Sequence, residues 1–443
     1  MRVLVLGSGA REHAMAWALA RSPDYSSASP DRDRIFCAPG NAGTEAFARN
    51  LPIDPLDAAA LVAACRELDI HVVLVGPESA LAAGVVDVLE SAGHRCFGPA
   101  KKSAALESSK AFARAFALRQ GIPCARTDVF SEPGSFLDFL DSMRGTRLVL
   151  KKSGLAAGKG VLDSDDHEEL RRYGLSVLES DTLLAEEFLE GRELSVFALC
   201  DLSDRLLLPA CADHKKALPG NRGPNTGGMG AVCPVPFADR ALMSELERSI
   251  VDPTFIGMAR EGLMYRGVLF FGIIVTASGP RLLEYNVRFG DPETQSLLPL
   301  LDSSFLELCS GTAAGRLCSM RPRFSDELAC GVVVAAPGYP GSYPKGLAVT
   351  IEESESSASM RDGRSATALG SRSLLFHAAT AKDPDGRIRT GGGRCFTAVG
   401  VAESWAAARE AAYATADSLH FEGAWYRPDI GSAYYDESGS AAS

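Results

Sequence analysis

The residues best suited to chemistry lie in one stretch, from Leu283 to Glu293, which reads LEYNVRFGDPE. Because side chains alternate along a strand, Glu284, Asn286 and Arg288 would share one face. Carboxylate and amide oxygens suit Mg²⁺, which commonly takes one or two such ligands together with substrate phosphates, and an adjacent guanidinium binds phosphate or carboxylate in a bidentate manner. We predict a metal and substrate site here; a structural ion-pair network is the alternative.

A glycine-rich segment follows an apolar run at Arg147 to Lys151. From Lys151 it reads KKSGLAAGKGV, one residue short of a Walker A loop, and Gly160 stands where that loop has a Ser or Thr for magnesium. A lysine at the end of a strand, followed by a flexible loop, still suits the phosphates of a nucleotide. We predict that Lys151 and Lys159 bind nucleotide phosphates; a solvated basic turn is the alternative.

Two other segments have the composition of ligand-binding loops. Gly7 to His13 lies between a predicted strand and a predicted helix, but Glu12 replaces the third glycine of a dinucleotide motif. It predicts a phosphate or sugar-phosphate site, or else a structural turn. The polar run from Asp213 to Lys216 and the glycine-dense run from Gly223 to Gly230 predict a ligand loop without regular structure, or else a flexible surface excursion.

The elements that must position these loops follow from the apolar pattern. Over the first hundred residues short apolar runs alternate with helical patterns, which predicts a parallel sheet. Strand-like runs and a helical stretch from Ala238 to Glu261 follow, and after about residue 325 come short strands separated by Gly, Ser and Pro. We predict an α/β and α+β multidomain protein, with a Rossmann-like domain at 1–100, a central domain at 101–325, a small β-rich domain at 326–432 and a flexible tail at 433–443.

Composition limits the class of protein. The chain has 443 residues, 46% apolar and 23% charged, as folded globular proteins do. Its net charge of -11 argues against a broad nucleic-acid or membrane-surface footprint. The cysteines form no CxxC pair, and no apolar run approaches the roughly 20 residues of a membrane span. Charges at Arg11 and Glu12 argue against a signal peptide, so we predict reduced thiols and a cytoplasmic location.

With these segments in place, the sequence resembles the phosphoribosylamine-glycine ligase family, also called glycinamide ribonucleotide synthetases, which are ATP-grasp enzymes of purine synthesis. The resemblance covers nearly the whole chain. Further motifs in the family's order are APGNAGT from Ala38, VGPE from Val75, SKAF from Ser109, EEFLEG from Glu186 and GYPG from Gly338. The resemblance implies that the central domain is an ATP-grasp domain with a mobile subdomain at about 122–190.

The same resemblance implies which residues bind the cofactors. Those assigned to ATP are the phosphate-binding lysines, the hinge beside adenine and a ribose contact: Lys110, Lys151, Lys159, Glu186, Glu187, Leu189 and Glu193. Glu284 and Asn286 would hold Mg²⁺, with Mn²⁺ as a substitute.

The residues assigned to chemistry and to the other substrates come from the same match. Arg288, Lys215 and Asp213 would be catalytic. The pocket for phosphoribosylamine and glycine would be lined by Gly9, Asn41, Glu78, Asn225, Thr226, Gly227 and Asp291.

The implied reaction uses ATP to convert the glycine carboxylate into an acyl phosphate. The amine of 5-phosphoribosylamine then attacks it, giving glycinamide ribonucleotide, ADP and phosphate. No covalent protein nucleophile is needed, in agreement with the lack of a Ser-His-Asp or Cys-His signature. The expected partners are these small molecules, without nucleic acid or membrane, and the expected state is a monomer or weak homodimer. The alternatives are a related ATP-grasp ligase acting on another purine intermediate and a nucleotide-binding protein with weakened catalysis.

Three departures from the family pattern bear on this prediction. Lys152 and Ser153 stand where the family reads the second and third residues of KADGL. The segment from Gly160 to Glu186 is short and contains only Gly174 between its ends, which predicts a reduced lid over the phosphates. The residues after Lys216, which read ALPGN, lack the family's usual acidic residue.

Overall fold

The computed structural model describes residues 1–23, 25, 33–156, 160–352 and 371–435. The predicted phosphate-binding residue Lys159 lies outside these residues, as does the part of the predicted tail from 436 to 443.

The first hundred residues form the predicted parallel sheet, with strand order β3-β2-β1-β4-β5. Its elements are β1 (Val3–Gly7), α1 (Ala10–Ala20), β2 (Ile35–Pro39), β3 (Arg49–Asn50), α2 (Ala58–Glu67), β4 (Val72–Val75), α3 (Glu78–Ala83), α4 (Val85–Ser91) and β5 (Arg95–Phe97). Leu6 pairs with Ala38 of β2 and with Val75 of β4. The loops after these three strands therefore meet at one edge of the sheet, as in other open parallel sheets.

The next segment builds a second sheet of four strands in the order β6-β9-β7-β8. Its elements are α5 (Lys101–Ser108), α6 (Lys110–Arg119), β6 (Thr127–Phe130), α7 (Pro133–Ser142), β7 (Leu148–Lys152), β8 (Val161–Ser164), α8 (His167–Leu178) and β9 (Leu183–Glu187). The segment after Gly160 thus forms a strand, a helix and a second strand. Gly174 lies in α8, where a Cβ atom would collide with Phe136, so this glycine serves helix packing. The reduced lid over the phosphates stays a prediction.

A third sheet, ordered β11-β10-β16-β17, carries the segment that ends in Glu284 and Asn286. The elements from here to the C-terminal part are β10 (Arg192–Cys200), β11 (Arg205–Leu207), β12 (Ala212–Asp213), β13 (Lys216–Leu218), β14 (Arg222–Asn225), β15 (Gly230–Cys233), α9 (Arg240–Leu246), α10 (Asp252–Glu261), β16 (Gly267–Thr276), β17 (Gly279–Asn286), α11 (Glu293–Leu297) and α12 (Phe305–Ala313). A π-helical turn, Glu247–Val251, joins α9 to α10, so the predicted helix from Ala238 to Glu261 is essentially confirmed.

The polar run from Asp213 to Gly230 is more regular than the sequence predicts. Strand β13 pairs with β14 and β12 pairs with β15, so two hairpins replace the expected irregular loop. The prediction failed because glycine and charge mask the strand pattern in these two-to-four-residue strands.

The remaining elements belong to the C-terminal part: β18 (Leu328–Ala335), β19 (Thr350–Ile351), β20 (Arg372–His377), β21 (Thr380–Lys382), β22 (Ile388–Thr390), β23 (Arg394–Ala402), α13 (Trp405–Asp417) and β24 (Leu419–His420). Their main sheet has the order β12-β15-β18-β23-β20. Two of its strands come from the central part of the sequence, so the sheet of the C-terminal part carries Asp213 at its edge.

The predicted flexible tail is wrong for its first residues. Tyr435 is buried, its ring stacks on that of Trp405 with centroids 4.3 Å apart, and its hydroxyl donates to the Pro234 carbonyl. No helix among the described residues is long and apolar enough to cross a membrane.

Candidate active site

A cavity of about 910 Å³ lies where the N-terminal sheet, the second and third sheets and the C-terminal sheet meet. Nearly all the predicted site residues line it: Gly9, Glu78, Lys110, Lys151, Glu186, Glu187, Leu189, Glu193, Asp213, Lys215, Asn225, Thr226, Gly227, Glu284, Asn286, Arg288 and Asp291. We call the part around Lys110, Lys151 and Glu186 the lysine half, and the part around Asp213, Arg288 and Asp291 the arginine half.

In the lysine half, Lys151 is fixed by a buried carboxylate. Its Nζ lies 2.7 Å from Glu186 Oε2, and Arg114 Nη2 lies 2.5 Å from Glu186 Oε1. Burial alone would raise the pKa of Glu186, but Lys151 and Arg114 outweigh it and hold that pKa below its usual range. Glu186 therefore positions Lys151. Arg114 was not predicted from the sequence. It lies on α6, and Glu186 follows it by 72 positions in the sequence.

A second lysine reaches the same place from a helix start. Ser109 caps α6 through the Phe112 N–H, and Ser153 Oγ accepts from the Ala111 N–H at 3.2 Å, so two hydroxyls cap the helix that begins at Lys110. Lys110 Nζ lies 3.5 Å from the Gly154 carbonyl oxygen. The two lysines and the glycine segment thus meet, which suits a chain of phosphates.

Apolar side chains border the lysines. The cavity wall on this side includes Val149, Leu189, Ile274 and Leu282, which suit a flat heteroaromatic ring. The Glu187 carboxylate accepts from the Arg126 N–H, so it links the end of β9 to the residue before β6.

Glu284 and Asn286 connect the two halves. Burial would raise the pKa of Glu284, but Lys215, Lys151 and Lys110 lower it, so its carboxylate is ionised at neutral pH. Gly272 lies opposite Glu284 on β16, where a Cβ atom would be 3.0 Å from Glu284 Cγ. Lys215 Nζ lies 3.2 Å from Glu193 Oε2 and 3.9 Å from Glu284 Oε1.

The donors of this connection fit a hard divalent cation. Asn286 Oδ1 accepts from Arg288 Nη2 at 3.1 Å, whereas the buried Asn286 Nδ2 has no hydrogen-bond partner among the described residues. Within the described residues no group of three or more His, Cys, Asp and Glu side chains could hold a metal. A cation held by Glu284 and the Asn286 amide would therefore complete its coordination with ligand oxygens and water, as Mg²⁺ commonly does.

Arg288 lies just beyond the end of β17 and is held by two carboxylates. Its Nη2 lies 2.8 Å from Glu107 Oε1, and its Nε lies 3.5 Å from Glu78 Oε2. Burial would raise the pKa of Glu78, but Arg288 and Arg11 lower it. Glu107, another residue missed from the sequence, also accepts from the Val287 N–H, so it fixes both the backbone and the guanidinium.

The N-terminal glycine segment is closed by its own helix. Glu12 Oε2 accepts from the Gly9 N–H at 2.6 Å, as in a capping box. Asn41 does not line the cavity: it is buried, and its Nδ2 donates to the carbonyls of Ser8 and His377. Asn41 thus braces the segment against the C-terminal part, and its contact with a ligand stays a prediction.

Asp213 contributes an unsatisfied group to the arginine half. Its buried Oδ1 has no hydrogen-bond partner in the described part of the chain, and it lies against Gly228, whose φ is +105° and where a Cβ atom would come within 2.6 Å. Burial raises the pKa of Asp213 well above its usual value, the neighbouring Glu293 raises it further, and Lys215 and Arg394 oppose the shift. Glu293 is itself buried and accepts from Ser195 Oγ.

Arg394, which the sequence reasoning missed, brings the C-terminal part into the cavity. Its Nη1 donates to the carbonyls of Gly227 and Asp291, and its Nη2 lies 3.3 Å from Asp291 Oδ2. The sequence signal that could have identified Arg394 is its position between a run of three glycines and an apolar strand.

Comparison with known proteins gives a consistent result. The chain matches three family models: the phosphoribosylglycinamide synthetase N domain over residues 1–107, the ATP-grasp (A) domain over 108–294 and the C domain over 329–433. It is 39% identical to the phosphoribosylamine–glycine ligase of Caulobacter vibrioides, covering 97% of this chain and 98% of that protein.

Longer relatives and solved structures extend the comparison. The chain is 42% identical to the trifunctional purine biosynthetic protein adenosine-3 of Gallus gallus, covering 97% of the chain but only 42% of that protein, so it spans about two fifths of that relative. The crystal structure of phosphoribosylamine–glycine ligase from Thermotoga maritima superimposes with a TM-score of 0.80 at 34% identity, covering 97% of this chain and all of that one. Biotin carboxylase from Campylobacter jejuni shares the fold, with a TM-score of 0.68 at 13% identity over 96% of this chain and 92% of that one.

Proposed function

The chain belongs to the phosphoribosylglycinamide synthetase family, and from this premise we propose that it uses ATP to join glycine to 5-phosphoribosylamine. One observation carries the proposal. A single cavity joins a pair of phosphate-binding lysines, through the ionised Glu284, to a half that contains Arg288, Lys215 and Asp213. The reaction needs two neighbouring environments. In one, a phosphoryl group activates a carboxylate; in the other, an amine attacks the activated carboxylate.

The first step transfers the γ-phosphoryl group. A glycine carboxylate oxygen attacks the γ-phosphorus, the bond to the β,γ-bridging oxygen breaks, and ADP leaves. Lys110 and Lys151 neutralise phosphate charge, and Glu186 keeps Lys151 in place at 2.7 Å. A Mg²⁺ ion held by Glu284 and Asn286 supplies further neutralisation of that charge when bound.

The second step forms the amide. The amine of phosphoribosylamine attacks the carbonyl carbon of glycyl phosphate, and inorganic phosphate departs with the electron pair of the broken C–O bond. The amine must also lose a proton, and Asp213, whose pKa is raised well above its usual value by burial, is suited to accept it. We assign Arg288, held by Glu107 and Glu78, to an anionic group of the substrates.

A phosphate-release assay with ATP, Mg²⁺, glycine and freshly formed phosphoribosylamine tests the proposal. We expect release only when all are present, with glycinamide ribonucleotide identified by mass spectrometry. Release with formate or bicarbonate in place of glycine would favour a related ligase. ATP binding without turnover would leave only a nucleotide-binding protein.

The metal assignment has its own test in Glu284→Gln. We expect turnover to fall about 100-fold, because removal of one group that stabilises charge in the transition state typically costs that much. The concentration of Mg²⁺ needed for half-maximal activity should rise, and Mn²⁺ binding in the presence of ADP, measured by electron paramagnetic resonance, should weaken. Glu90→Gln, which removes a surface partner of Arg266, is the control. Unchanged Mn²⁺ binding by Glu284→Gln would refute the assignment.

The remaining assignments are also proposals. We propose Mg²⁺ as the usual cation with Mn²⁺ as a substitute, a cytoplasmic location and a monomer or weak homodimer. The net charge of -11 supports the proposal that neither nucleic acid nor a membrane surface is a partner. The domain boundaries near 100 and 325, and the mobility of residues 122–190, can be tested by limited proteolysis with and without ATP.

A further inference from the structure

Arg394 begins β23, in the sheet that also carries Asp213 on its edge strand. Its Nη1 donates to the Gly227 carbonyl, to the Gly228 carbonyl at 3.4 Å and to the Asp291 carbonyl at 2.8 Å. The Arg394 guanidinium thus joins the 226–228 segment to the turn at Asp291, which follows Arg288. These two segments lie more than 60 residues apart in the sequence.

Close packing shows that the position is built around a guanidinium. A Cβ atom on Gly227 would lie 3.1 Å from Arg394 Cζ, so the glycine backbone lies directly on the planar group. The hydroxyl of Tyr339, also from the C-terminal part, accepts from the Gly227 N–H at 3.0 Å. A lysine ammonium, which is a point charge on a flexible chain, cannot reproduce this fork of donors.

The charge of Arg394 also faces the acidic part of the arginine half. Its Nη2 lies 3.3 Å from Asp291 Oδ2, and its charge acts on Asp213 and Glu293. The Arg394 guanidinium therefore both holds the backbone of these segments and neutralises nearby negative charge. Arg394 is half-buried, and desolvating a cation with four polar contacts is costly unless those contacts are kept, so each contact depends on the others.

We propose that Arg394 is a positioning residue for the arginine half: it holds the 226–228 segment and the turn at Asp291 in the geometry that binds the amino acid and the amine. It acts through these segments, and it leaves the lysine half unaffected. The catalytic part of the proposal rests on the proposed function.

The test compares Arg394→Ala and Arg394→Lys with a matched control. Arg389→Ala is suitable because Arg389, in the same part of the chain, also pairs with a carboxylate through its Nε, at 2.9 Å from Asp383 Oδ2, and contacts a glycine carbonyl. Arg389 does not line the cavity. Any general loss of stability or activity from removing an arginine in this part of the fold should appear in both Arg394→Ala and Arg389→Ala.

The first measurement, amide hydrogen exchange, needs no turnover. Arg394→Ala should increase exchange at 226–230 and at 289–293 without changing 148–152, while Arg389→Ala should change neither. Equal exchange at 226–230 in Arg394→Ala and the wild-type chain would overturn the positioning role, whatever reaction the protein catalyses.

The second measurement is kinetic. Arg394→Ala should lower kcat/KM for glycine about 100-fold, the usual cost of misplacing substrate groups by about 1 Å, while ATP affinity measured by calorimetry stays within about twofold. Added guanidinium should restore part of the activity of Arg394→Ala and none in Arg394→Lys. Equal losses for glycine and ATP would overturn the proposal. An inactive wild-type chain would instead count against the proposed function, and hydrogen exchange would still decide the role of Arg394.

Discussion

The two halves of the cavity differ in how their charges are balanced. In the lysine half, Lys151 is already paired with Glu186, which is also paired with Arg114. In the arginine half, the buried Asp213 Oδ1 and the nearby Asn286 Nδ2 lack hydrogen-bond partners within the ranges that the structure describes. In the first half Lys151 has its counter-charge before a ligand binds, and in this sense we call that half complete. The second, incomplete half keeps described groups whose burial only a ligand would compensate. We therefore expect the selectivity of the reaction to arise in the arginine half.

The strongest way to break this comparison is to disrupt the complete half. Lys151→Met should lower kcat/KM for ATP about 1000-fold, because a preorganised charge at the phosphates is lost. It should destabilise the fold by only about 1.5 kcal/mol, the value of a charged hydrogen bond, because Arg114 still compensates the charge of Glu186. Steady-state kinetics and thermal unfolding measure the two effects.

A second substitution tests the pairing of Glu186. In Lys151→Met/Glu186→Gln the stability should fall further, because the buried Arg114 then lacks its carboxylate, and activity should not return. Lys382→Met, which removes a surface ion pair with Glu45, should change neither. A Lys151→Met variant with normal ATP kinetics would show that Glu186 and Lys151 form only a structural pair.

An intermediate effect is expected from Asp213→Asn in the incomplete half. The turnover should fall about 100-fold, the usual contribution of a general base, while KM for ATP stays nearly constant. The folded-state pKa of Asp213 is raised by burial, so the folded protein binds this proton more tightly than the unfolded chain does. Wild-type stability should therefore fall as pH rises from the unfolded pKa, roughly 4, towards the folded pKa.

The stability part of this prediction has a clear sign. Asparagine does not titrate, so the melting temperature of Asp213→Asn should exceed that of the wild type by a margin that grows from about pH 4 towards the folded pKa. Asp383 is a contrasting control, because backbone and Arg389 hydrogen bonds lower its pKa, and Asp383→Asn should bring no such gain. A loss of stability in Asp213→Asn at pH 8 would contradict the idea that this carboxylate is strained.

The same contrast explains what the sequence could predict. Lys151, Glu284 and Asn286 were found because local motifs place them at the end of strands, and the parallel N-terminal sheet followed from its apolar rhythm. Arg114 and Arg394 were missed because their partners lie 72 and 103 residues away, and only the fold brings them together. The strands around Asp213 were missed because they are short and rich in glycine and charge, and because β12 and β15 complete their sheet only with strands of the C-terminal part.

The smallest expected effect sharpens the comparison by locating the glycine segment in the lysine half. Asp181 Oδ2 accepts from the Gly154 N–H at 3.1 Å and lies 3.7 Å from Lys152 Nζ, so this carboxylate anchors the segment where Ser153 replaces the family's acidic residue.

Asp181→Ala should raise KM for ATP about tenfold, because a charged hydrogen bond worth about 1.5 kcal/mol is lost, whereas Asp181→Asn, which keeps an acceptor, should raise it only about twofold. KM for glycine should stay constant in both. Asp141→Ala, which removes an exposed pair with Arg144, is the control. If glycine kinetics change as much as ATP kinetics, the two halves are coupled through this segment, and the division between a complete and an incomplete half does not hold there.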